Sequence, residues 1–165
     1  MMTDAHAQGL GLLAKLVLAA AATLVIAGIV WHGVALDNFQ RMWIDLIDRP
    51  SGPMAFRFIL QPLMAAITAT RDGLRDARTE RSPYLWTIVR QSEERVALLR
   101  EGLDATARII LLGLAMDVIY QVMVFKMFYP VEALIIAILL AFVPYLLIRG
   151  LVVRLSHARA ASRVL

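Results

Sequence analysis

Apolar positions along this chain gather into three nearly uncharged runs, residues 16–36, 109–125 and 131–148. Between them, polar and apolar positions alternate with helical period. A hydrocarbon core about 30 Å thick is crossed by ~20 apolar residues in a helix rising 1.5 Å per residue. The first run meets that length outright. The other two reach the interface through Lys126, Tyr129 and Arg149, which carries the second span to residue 128. The pattern predicts an all-α integral membrane protein with three transmembrane helices in a single unit.

The intervening segments read differently. Residues 1–15 form an N-terminal tail. In residues 37–49, Phe39, Met42, Trp43, Leu46 and Ile47 recur at three-to-four-residue spacing, with Asp37, Gln40, Arg41, Asp45 and Asp48 opposite. That is an amphipathic helix lying on the bilayer surface, ended by the turn chemistry of Arg49-Pro50-Ser51-Gly52-Pro53. Residues 54–70 are apolar enough to enter the membrane, yet Arg57, Gln61, Thr68 and Asp72 share one stripe and Pro62 interrupts the helix. Two placements fit. An interfacial or re-entrant helix suits its length and polar face; a short fourth span would turn the polar stripe into the bundle. Residues 71–108 are the most charged part, and Asp104 and Arg108 are spaced to pair across one helical turn. No strong breaker stands between Glu93 and Phe125, so an amphipathic helix is expected to run straight into the second span. A tight turn at residues 128–130 then folds the third span, residues 131–148, antiparallel onto the second, leaving a basic tail at 149–165.

Composition sharpens this picture. Apolar residues make up 60% of the chain and charged ones 18%, against a soluble norm of roughly 45–50% and 25%; the excess sits in the three runs. The net charge of +4, from 17 basic and 13 acidic side chains, sets orientation in a membrane protein rather than recruiting nucleic acid. With three or four spans alike, residues 71–108 and the C-terminus fall on the cytoplasmic side and the 126–130 turn on the other. Only the side of the N-terminus differs. The first run lacks a basic start and a terminal cleavage site, so it is expected to be retained rather than removed as a signal. There is no cysteine, hence no disulfide framework or thiolate ligand.

Candidate chemistry centres on Asp117. A carboxylate inside an apolar run is costly and must face protein or water, pair with a base, or be protonated. Gln121 lies one turn on, Tyr120 beside it, and Tyr145 on the following span. These four form either a polar clasp that fixes helix register or a proton or cation relay. The stripes Ala19/Thr23/Ala27 and Ala133/Ala137/Ala141, with Gly113, are candidate helix-packing positions, because small residues let membrane helices approach closely. Arg57, Gln61 and Pro62 are candidate interfacial residues. His6, His32 and His157 are scattered without metal spacing, and no nucleophile elbow, P-loop, zinc motif or dinucleotide turn occurs. No catalytic, metal or cofactor site is expected.

The stretch FRFILQPLMAAITATRDGLRDAR at residues 56–78, followed by SPYLW, DVIYQ, FYPVEAL and VPYLLIRG, resembles a group of small uncharacterised bacterial inner-membrane multipass proteins over about residues 56–155. The resemblance implies a bacterial inner membrane and no activity. The expectation is a non-enzymatic structural, accessory or interaction component whose partners are the lipid bilayer and another membrane protein or itself. The alternative is a proton- or cation-translocating subunit using Asp117.

Overall fold

A computed structural model describes residues 10–33, 40, 43–44, 52, 54–79 and 92–161. Four helices dominate: α1 Leu12–His32, α2 Arg57–Arg78, α3 Ser92–Tyr120 and α4 Pro130–Ala161. The surface helix expected at 37–49 lies outside the described residues, apart from a few positions.

Three stretches, Leu12–His32, Arg95–Phe125 and Pro130–Arg159, are long and apolar enough to cross a membrane. The chain is an all-α membrane protein. As the absence of breakers predicts, α3 is unbroken from the charged segment into the second apolar run. It ends in a π-helical turn, Gln121–Phe125, closed by Lys126 in the left-handed region (φ 56°). Helix α4 continues through Pro144 for 32 residues.

Contacts between helices set their directions. The Gly11 N–H donates to Asp104 Oδ1 at 2.9 Å, and His32 Nε2 lies 2.9 Å from the Phe128 carbonyl oxygen. Helix α1 therefore runs parallel to α3. Helix α4 returns antiparallel, with Ala137 beside Gly113 and Arg149 bonded to Glu101. Helix α2 descends alongside α4: Asp72 meets Tyr145, Asp76 meets Arg149, and Gly73 packs on Val152. The result is an up-down-up-down bundle.

Side chains are sorted by the membrane rule rather than the aqueous one. In α2, the face Arg57, Gln61, Ala65, Ala69, Gly73, Asp76 is buried, while Ile59, Leu63 and Ile67 are exposed. In water the apolar stripe would be buried. Here the polar stripe turns inward and the apolar one outward, the arrangement a lipid solvent rewards. The core between α2, α3 and α4 is built of Ala65, Ala69, Ala107, Ala133, Ala137 and Ala141, all 0–1% exposed. Small side chains bring the backbones close enough for dispersion contacts to replace the hydrophobic drive that lipid does not supply.

Candidate functional site

Two buried polar clusters lie along the inner face of α2. The upper one is centred on Asp117, which is completely buried. Arg57 Nη2 lies 2.5 Å from Asp117 Oδ1, and Gln121 Nε2 donates to Oδ2 at 2.6 Å. With ~1.5 Å per residue, Asp117 sits roughly 12 Å below the Phe125 end of its helix, deep within the apolar stretch. The Arg57 guanidinium lies 5.0 Å from the centre of the Tyr120 ring, within cation–π range. The carboxylate is thus matched by a cation, an amide and an aromatic wall.

Gln121 does a second job. Its Oε1 accepts the Tyr129 N–H at 2.6 Å, and its Nε2 reaches the Tyr129 carbonyl at 3.3 Å. One amide therefore ties the α3–α4 turn to the Asp117 cluster. The π-helical turn starts at Gln121. Above this turn, His32 stacks on Tyr129 at 4.8 Å and Trp31 meets Phe128 edge-on at 6.5 Å, fastening the end of α1 to the same loop.

Gln61 lies one turn after Arg57 and is 1% exposed. Its amide occupies the notch left by Gly113, where any Cβ would overlap Gln61 Nε2. The small-residue position at 113 serves a side chain from α2, in addition to the approach of α4. Arg57 Nη1 and Gln61 Nε2 have no hydrogen-bond acceptor among the described residues.

The lower cluster is built on Arg149, 1% exposed. Its Nε donates to Asp76 Oδ2 at 2.7 Å, Nη2 to Glu101 Oε1 at 2.6 Å and Nη1 to the Tyr145 hydroxyl at 2.7 Å. The Tyr145 hydroxyl in turn donates to Asp72 Oδ2 at 2.7 Å. A single guanidinium, with donors fixed in a planar fork, joins α2, α3 and α4.

The expected quartet is therefore divided. Asp117, Tyr120 and Gln121 come together, whereas Tyr145 belongs to the Arg149 cluster, two turns and more along α4 from the Gly113–Ala137 contact. Arg57 and Gln61 face the bundle instead of reaching headgroups, because Asp117 offers Arg57 a buried counter-charge; Pro62 is half-buried within α2. Asp104 does not pair with Arg108 as its spacing suggested; its Oδ1 accepts the Gly11 N–H instead. Ala133, Ala137 and Ala141 are consumed inside the bundle. On α1, Ala19 and Thr23 are exposed and Ala27 half-buried, with the Thr23 hydroxyl donating to Ala19 O at 2.9 Å.

Sequence reasoning missed Arg149 as an organising residue. It read as the first cation of a basic tail, and only its four-residue spacing from Tyr145 hinted at a shared face. Asp76 is likewise submerged in a charged run, whereas Asp72 stands on the polar stripe of Arg57, Gln61 and Thr68. Among the described residues, no group of His, Cys, Asp and Glu is placed to hold a metal ion. Comparison of the chain with protein-family models, curated proteins and solved structures finds no match.

Proposed function

We propose that this is a non-enzymatic multipass protein of the bacterial inner membrane that packs against another membrane protein or a second copy of itself. One observation carries the reading. Only 17% of the apolar window of α1 is buried within the chain, against 39% in each of the other two spans. Its outward face also presents the small residues Ala19 and Thr23. The buried charges elsewhere are spent on one another, tying α2, α3 and α4 together. Membrane helices that expose small residues associate through close packing, and α1 is the helix with surface left to give.

The parallel course of α1 and α3 supports a fourth crossing. If both traverse the bilayer in the same direction, the chain between them must return, and α2 is the limb that does so. The N-terminus then shares the cytoplasmic side with residues 71–108 and the C-terminus, an arrangement that keeps most basic residues inside.

Because the chain has no cysteine, Thr23→Cys gives a clean crosslinking probe. Oxidation in native membranes is expected to yield a discrete dimer or a single heterologous adduct. A lone monomer at every oxidant level, together with monomeric migration in mild detergent, removes the association reading.

A second reading, translocation of a proton or cation through Asp117, is favoured by the unanswered donors Arg57 Nη1 and Gln61 Nε2, which give a buried water a place to bind. It requires flux in proteoliposomes that Asp117→Asn abolishes at unchanged helicity. Absence of flux from the wild-type protein disposes of it.

A further inference from the structure

We infer that the lateral groove between α1 and α2 is a binding site for one acyl chain of an anionic phospholipid, with its phosphate on Arg108. Helices α1 and α2 each pack on α3 and α4 without substantial contact to one another, and the gap they leave is floored by α3. The gap is a cavity of about 690 Å³ with apolar walls from Leu12, Met64, Ile67 and Ile109, Ala105 on its floor, and Asp104 and Arg108 both at its edge. That volume is of the size of small-ligand clefts, although the groove is open along one side rather than enclosed.

Three features select the occupant. The first is depth. Arg108 is the last charge before α3 turns apolar at Ile109, and Leu12 opens the apolar stretch of α1. The groove therefore begins at headgroup level and extends toward the hydrocarbon. The second is charge. Arg108 is exposed and lines the mouth with Thr68. Asp104 also lines the groove, one turn further from the apolar run; its Oδ1 accepts the Gly11 N–H at 2.9 Å, where the positive end of the α1 dipole partly offsets its charge, which leaves Arg108 as the cation nearest the apolar walls. The third is access: Leu12 is 74% exposed and Ile67 48%, so the groove opens sideways, as entry from a bilayer requires. Basic pockets between membrane helices at the headgroup level recruit anionic lipid through such a combination.

The test is native mass spectrometry of the full-length, detergent-purified protein titrated with phosphatidylglycerol or phosphatidylcholine of identical acyl chains. The wild type is expected to retain one phosphatidylglycerol about fivefold more tightly than phosphatidylcholine, the selectivity one interfacial arginine provides. Arg108→Gln, a change at an exposed position, is expected to erase that preference. Ala105→Phe, which projects a ring into the groove, is expected to remove retention of both lipids, with helicity by circular dichroism confirming a folded chain. Equal retention of the two lipids by the wild type, or selective retention that survives Arg108→Gln, overturns the assignment of the phosphate. Retention that persists in folded Ala105→Phe overturns the assignment of the groove.

Discussion

At the scale of single residues, the bundle rests on charges that would be prohibitive one at a time. Arg57 and Asp117 are 1% and 0% exposed and neutralise each other across α2 and α3. Removing one partner of such a pair leaves the other buried and uncompensated, which costs about 3–5 kcal/mol, whereas replacing both by apolar groups is often neutral or better. Asp117→Leu is therefore expected to lower stability by that amount in unfolding followed by circular dichroism. Arg57→Met combined with Asp117→Leu is expected to recover most of the loss. A double variant no more stable than the single one would show that the two side chains do not act as a pair. The Arg149 cluster follows the same logic with three acceptors converging on one guanidinium.

At the scale of elements, α2 is the helix that closes the bundle, and it does so through its polar face. Close approach to α4 is set by Gly73, where a Cβ would stand 2.9 Å from Val152 Cβ and 3.0 Å from the Arg149 carbonyl oxygen. The second of these is backbone and cannot swing aside. Gly73→Ala is expected to cost about 1–3 kcal/mol through overpacking, opposed only by the ~1 kcal/mol by which alanine favours a helix over glycine. The net loss should be visible as a lowered unfolding midpoint. It should also loosen the Arg149–Asp76 bond, which lies on the same stretch of the α2–α4 contact. An unchanged or raised midpoint would mean that α2 and α4 are not held this closely.

At the scale of the whole molecule, direction matters more than any single contact. The Gly11–Asp104 and His32–Phe128 contacts at opposite ends of α1 make α1 and α3 co-directional, and the four-crossing topology proposed above rests on that direction. Reporter fusions at Met1 and Leu165 are expected to report the same, cytoplasmic side, and a reporter inserted at Lys126 the opposite one. Termini on opposite sides would place α2 outside the bilayer and break the parallel arrangement.

The sequence by itself determined the medium, the helical class and the hairpin of the last two spans. Uninterrupted apolar length is a local property, and a 1.5 Å rise converts it into depth without any knowledge of neighbours. It also singled out Asp117 and Gln121, because a polar group inside an apolar run has to find a partner. What it left open was who the partner is. Arg57 and Asp117 are sixty residues apart, and the stripe Arg57, Gln61, Thr68 suits a surface helix as well as a bundle helix until another chain segment is seen to face it. Tyr145 and Arg149 fall in separate sequence contexts, span and tail, although α4 carries both on one face toward Asp72, Asp76 and Glu101. Only the tertiary structure decided these pairings and the direction of α1, since periodicity fixes which side chains share a face but not which face they meet.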